Sequence, residues 1–170
     1  MATQEEIQAR IEKSNAGYQQ RKAAQLKEKS DRKEGISYIH DNKIAMMREN
    51  FPDGSVLMIA VEEKEAKVRA PAGVDVSCYV FSFALCSSKD TFSLKIAKGL
   101  LGKRLKEENK DYYFDVLYKS GMSKEDILRM GMFWISINAI GGNPIIPDRL
   151  RRLVRRKQKY EYGTSFYGVE

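Results

Sequence analysis

The chain has 170 residues, enough for one domain with an appendage and for a core that needs no covalent staples. Its hydrophobic share is 42% and its charged share 31%, with 30 Lys+Arg against 23 Asp+Glu for a net charge of +7, which excludes a collagen-like or disulfide-rich chain. No uncharged apolar run approaches the ~18 residues of a membrane span, and the start MATQEEIQARIEK is polar where a secretory signal is apolar, so a cytoplasmic protein with no membrane partner is expected.

In chain order, residues 3 to about 34 read as a long polar helix. Thr3 with Glu6 three residues on is a capping-box signature, and Gly35 is the expected stop. Its apolar content is thin: Ile7, Ile11, Tyr18 and Leu26, with Gly17 inside. Such a helix is marginal alone. It is expected to dock by a narrow stripe, to pair with another chain as a homo-oligomer contact, or to order on binding. The stretches Ile36–Ile39 and Ile44–Met47 are short and apolar, without a clear period. A turn at Pro52-Asp53-Gly54 leads to a buried-strand run, Val56 to Val61. A charged connection, Glu62 to Glu65, leads toward a short strand near Val68, and Pro71-Ala72-Gly73 makes a second loop. Val76 to Leu85 is the clearest strand, apolar on both faces and therefore central.

Thr91 to Glu107 read as a helix capped by Ser88 or Asp90. Its wheel puts Leu94, Ile96, Ala97, Leu100, Leu101 and Leu105 on one side and Lys95, Lys98, Lys103 and Lys106 on the other, together with Gly99 and Gly102. Glycines there open the helix either to a phosphate or partner backbone, or to close packing by a neighbouring element. Arg104 points toward the apolar arc. Residues 111–118 fit a strand or a helix. Ser123 with Asp126 starts a helix that runs to Gly141-Gly142, despite the β-branched Ile135-Ser136-Ile137 inside it. Asn143 to Pro147 is an extended link. The tail aromatics Tyr160, Tyr162, Phe166 and Tyr167 suit base stacking or, preferably, a strand folded onto the domain.

The charge is localised. Arg149, Arg151, Arg152, Arg155, Arg156, Lys157 and Lys159 lie in eleven residues without an acid, and without these seven the chain has 23 basic and 23 acidic residues. Pro147 and Asp148 suit a helix start, and Leu150, Leu153 and Val154 form one stripe opposite Arg149, Arg151, Arg152, Arg155, Arg156 and Lys159. Like charges at this spacing repel without a counter-charge, and guanidinium suits bidentate phosphate or carboxylate recognition. Three readings follow: nucleic acid, an acidic protein surface, or a solvated face.

Enzymatic chemistry finds little support. Cys78 and Cys86 sit eight residues apart in one strand, roughly 26 Å, too far for a disulfide, and are expected as buried thiols. His40 is the lone histidine, so a Cys₂His₂ or His-pair zinc site is excluded, and a structural role outweighs a general base. Asp53 with Glu65-Ala66-Lys67, or with Glu62-Glu63-Lys64, has the letters of a metal-dependent nuclease, but a strand of about 20 Å separates the carboxylates. Gly99-Leu100-Leu101-Gly102 has the GxxG letters of an RNA-clamping loop, yet its middle residues are leucines on a helical stripe. The carboxylates Glu107, Asp111 and Asp115 read as solvated surface groups. No cofactor, metal or catalytic residue is expected.

The stretch CSSKDTFSLKIAKGLLGKRL resembles short proteins carried by phages and other mobile elements, and matches no named family. The resemblance implies an alternative role as an inhibitor of a host nuclease or defence complex. The expected fold is α+β: an antiparallel sheet from residues 36 to 86, covered by helices at 91–107 and 124–140, with a long polar N-terminal helix and a basic C-terminal helix. Three regions are expected, an N-terminal extension (1–35), an α+β core (36–146) and a basic helix with an aromatic tail (147–170). The expected function is a small, basic, non-enzymatic nucleic-acid-binding protein for DNA or RNA, acting through phosphate contacts of the arginine helix and of Lys95, Lys98, Lys103 and Lys106. An acidic protein surface is the alternative partner.

Overall fold

In a computed structural model that describes residues 4–64, 76–108, 112–119 and 121–162 (side chains at 5, 76, 117–119 and 159–162 excepted), four strands pair antiparallel in chain order. They are β1 (Ala45–Asn50), β2 (Val56–Lys64), β3 (Val76–Cys86) and β4 (Tyr113–Lys119). The helices are α1 (Gln4–Asp41), α2 (Leu94–Glu107), α3 (Lys124–Ile140) and α4 (Asp148–Tyr162). This is the α+β arrangement expected. The register sets Ile59 opposite Phe83 and Phe81 opposite Phe114, so alternate residues of the two central strands serve two cores. Leu57, Ile59, Val61, Tyr79, Phe81 and Phe83 pack under α3 and α4. Met58, Ala60, Val80 and Ala84 pack under α2 and the end of α1. Burial on both faces explains why β2 and β3 read as unbroken apolar runs.

The α3 side is held by aromatic stacking. Phe81 and Phe114 lie 4.8 Å apart between centroids, and Phe114 lies 3.9 Å from Trp134 of α3. Gly131 brings α3 onto the sheet, since a Cβ there would sit 2.7 Å from Phe81 Cδ1. Ser123 caps α3 as expected, its Oγ accepting from the Asp126 N–H at 3.1 Å. The β-branched segment is accommodated with Ile135 buried and Ile137 exposed.

Three expectations are corrected. Gly35 does not stop α1, which runs on to Asp41 and absorbs Ile36–Ile39 as helix rather than a short strand. The glycine is a contact instead: a Cβ on Gly35 would overlap the Gly99 carbonyl oxygen and lie 2.9 Å from the Lys103 nitrogen. A Cβ on Gly102 would likewise meet the Gly35 backbone, 2.6 Å from its carbonyl carbon. The glycines of α2 thus serve a neighbouring helix rather than a phosphate. As a result the buried arc of α2 is rotated toward them. Ala97, Leu101 and Leu105 face the sheet and Gly99 and Gly102 face α1, while Leu94, Ile96 and Leu100 are exposed. Finally, α2 starts at Leu94 with Ser93 as its cap, later than the Ser88 or Asp90 expected. The ambiguous segment 112–118 resolves as β4, an edge strand paired along β3. Expectations at Glu65–Lys67, Val68, the Pro71–Gly73 loop, Asp111, Phe166 and Tyr167 lie outside the described residues, as do the side chains of Lys159, Tyr160 and Tyr162.

Candidate nucleic-acid interface

Leu150, Leu153 and Val154 are buried in the α3 side of the core and fix the orientation of α4. Its wheel then decides the fate of each cation. Arg151 turns inward: it pairs with Asp148 at 2.6 Å and donates to the Gly142 carbonyl at 3.3 Å, while its Nε is buried without a partner. Arg155 is exposed yet donates to the Ile140 carbonyl at 3.2 Å. Both guanidinium groups therefore sit on the C-terminal end of α3, where terminal carbonyls lack intrahelical donors and the dipole favours cations. Lys157 pairs with Glu49 of β1.

Arg149, Arg152 and Arg156 remain. All three are exposed, within an arc of about 60°, and none pairs with a described residue. They stand at i, i+3 and i+7, so the row spans roughly 10 Å of helix. Asp148 is the one acid between residues 142 and 160, and Arg151 occupies it. Among the described side chains of α4, no second carboxylate answers these three like charges.

The lysines of α2 divide differently. Lys103 pairs with Asp31 of α1 and lies 3.7 Å from Glu107, and Lys106 pairs with Glu34 of α1. The hydrogen bond to Asp31 is the main cause that holds the Lys103 ammonium above its ordinary pKa. These two belong to the α1–α2 junction, so the sequence-level grouping of four lysines does not survive as one face. Lys98 is half-buried. Lys95 lines an open groove of about 310 Å³ with Gln25, Glu28, Lys29, Arg32, Lys33 and Ile36 of α1. The α1 cations were not singled out from the sequence because α1 carries eight Lys/Arg against seven Asp/Glu and looks neutral in sum.

Other chemistry-bearing groups are placed structurally. Arg104 meets no buried acid; it donates to the Phe83 carbonyl and stacks 3.7 Å over the Tyr112 ring, and burial lowers its pKa. Tyr38 donates to both oxygens of Glu62 at 2.9 Å, and its hydroxyl is pushed up to about 12 by burial, then by that carboxylate. Burial, followed by Glu108 and Asp115, pushes Tyr113 up to about 12 as well. Asp53 is spent on the Ser55 N–H and hydroxyl at 2.9 and 3.0 Å, at the end of β2 opposite Glu62 and Glu63. His40 is exposed at the end of α1, 3.6 Å from Asp41. Cys78 and Cys86 form no disulfide with each other and are half-buried rather than buried. Among the described residues no cluster of three or more His, Cys, Asp or Glu is placed to hold a metal ion, and no helix is long and apolar enough to cross a membrane. Compared with protein families, with curated proteins and with solved structures, the chain matches none.

Proposed function

We propose that this is a non-enzymatic nucleic-acid-binding protein that grips phosphates with the exposed arginine row of α4. The reading is carried by one observation: Arg149, Arg152 and Arg156 share an exposed face, with no acid partner among the described residues. Arg151 and Arg155 support the row by fastening α4 to the end of α3. Guanidinium is the side chain best matched to phosphate oxygens, and a rigid helix backed by buried leucines holds the three at fixed spacing. Phosphate contacts position without reading bases, so affinity without strong sequence preference is expected.

The test is the double variant Arg152→Glu/Arg156→Glu. Neither side chain contributes apolar burial, so stability should change by no more than ~0.5 kcal/mol. Wild-type protein should carry excess 260 nm absorbance that is lost on nuclease treatment or in high salt. In the variant, the slope of log affinity against log salt should flatten by about 0.9 per lost contact on duplex DNA, or ~0.7 on single strands. A variant that binds like wild type leaves the row a solvated face and ends the proposal.

A second reading, an inhibitor or assembly factor docking on an acidic protein, is favoured by a different observation. Phe133 and Ile137 stand one turn apart on α3, 67% and 50% exposed. Large apolar side chains of this kind anchor protein interfaces and add nothing to phosphate binding. Phe133→Ser should release such a partner and leave nucleic-acid affinity unchanged.

A further inference from the structure

The groove between α1 and α2 gathers charge that the α4 row does not use. Four cations line it, and its one carboxylate, Glu28, is tied to Arg32 at 2.7 Å. Lys29, Lys33 and Lys95 are exposed and pair with no described residue. Lys29 and Lys33 lie at i,i+4, where like charges repel, and the first turn of α2 carries no acid to offset Lys95. Ile36 and the lysine stems give the groove an apolar wall.

The same face continues along α1. At 100° per residue, Ile11, Tyr18, Lys22, Leu26, Lys29 and Lys33 fall within about 80° of one another. All seven Asp/Glu positions of α1 fall outside that arc on the wheel. Tyr18 is 62% exposed on it, roughly 20 Å from Lys33 along the helix. A groove alone suits a free nucleotide; a groove extended by an acid-free face with an exposed aromatic suits a strand.

We propose that Lys29, Lys33 and Lys95 form a second phosphate site, and that α1 guides a single-stranded nucleic acid into it with Tyr18 as a stacking platform. The proposal shares a ligand class with the α4 reading but rests on other residues, so the two fail separately. Backbone-tracking cations with interleaved aromatics are the usual construction of single-strand sites.

The test uses full-length protein and a labelled oligothymidylate of about 20 nucleotides, with the matching duplex and a nucleoside triphosphate as further probes. Lys29→Gln/Lys33→Gln/Lys95→Gln removes exposed charges only, and unchanged melting checks that the fold is kept. Affinity for the oligothymidylate should fall, and its salt slope should flatten by about 2, near 0.7 for each of three contacts. Tyr18→Ala should weaken the single strand by about fivefold or more and leave the duplex unchanged. Loss in the triple variant with retention in Arg152→Glu/Arg156→Glu supports the groove and refutes the α4 row. Retention in the triple variant overturns the groove and leaves α4 standing. Triphosphate binding that the triple variant loses, with oligothymidylate binding intact, overturns the single-strand assignment in favour of a free nucleotide. Wild-type protein that binds no oligothymidylate overturns it outright.

Discussion

Replacing Gly35 by alanine tests the α1–α2 junction, because helix propensity and packing predict opposite signs. Alanine is preferred to glycine in a helix interior by about 1 kcal/mol, so a position free of neighbours gains. At Gly35 the new methyl would overlap the Gly99 carbonyl oxygen and lie 2.8 Å from its carbon, where ordinary contact begins at 3.4 Å. The obstacle is backbone, which cannot rotate aside. The helices must part, which stretches the Asp31–Lys103 and Glu34–Lys106 pairs and loosens Ile39 in its core. Overpacking of this kind costs ~1–3 kcal/mol, which leaves a net loss of about 0–2 kcal/mol after the propensity gain. For a chain of this length that lowers the melting midpoint by as much as roughly 8 °C. Gly17→Ala is the internal control, since nothing lies within 4 Å of a Cβ there. It should raise helical circular dichroism while leaving the midpoint unchanged, because the exposed distal part of α1 gains helicity without touching the core. A Gly35→Ala protein that melts above the wild-type temperature refutes the glycine contact.

Gly131→Ala should also destabilise, by about 1–3 kcal/mol in denaturant titration, because Phe81 and its stack with Phe114 must shift; an unchanged midpoint would mean α3 does not rest on that ring. Removing residues 1–24 should leave the melting midpoint within measurement error, because from Gln4 to Ser30 the described side chains are exposed. Loss of cooperative melting would show that the distal part of α1 is core. Tyr38 and Tyr113 have pKa values raised from 10 to about 12, so they contribute stability that is whole below pH 10 and is lost as pH rises toward 12. Absorbance at alkaline pH should show two tyrosines titrating late and together with unfolding; nine tyrosines ionising near pH 10 would contradict the burial.

Much of the fold was legible because periodicity reports burial. β2 and β3 announced themselves as apolar on both faces, and Ser123 with Asp126 located the start of α3 to the residue. The failures share one cause. Gly35 read as a stop and Ile96 and Leu100 as core because a helical wheel ranks faces by hydrophobicity, and a face that packs through glycine carries none. Close approach of two backbones through Gly35, Gly99 and Gly102 leaves no apolar signature, only a pair of costly glycines three residues apart. That spacing was the available signal, and its structural interpretation stood beside the phosphate one with nothing in the sequence to separate them.

The candidate sites show the same limit for charge. A cation's availability depends on which carboxylates the fold brings within reach, and those can be distant in sequence: Lys103 and Lys106 meet acids 72 residues away. On α4 the local count fails in the same way, since Lys157 meets Glu49, 108 residues away. Arg149, Arg152 and Arg156 span about 60° of the wheel, and none pairs with a described residue. Arg151 and Arg155 lie about 40° apart on another side of the helix and are taken up by the end of α3. The side of the helix that a basic residue occupies, and what the fold places beside it, therefore separate cations that hold the fold from cations without a described partner. On α1 Lys29 and Lys33 likewise share an acid-free arc, while Asp31 and Glu34 turn to α2. Neutral overall charge conceals such an arc, and only the arrangement of the carboxylates around the helix reveals it.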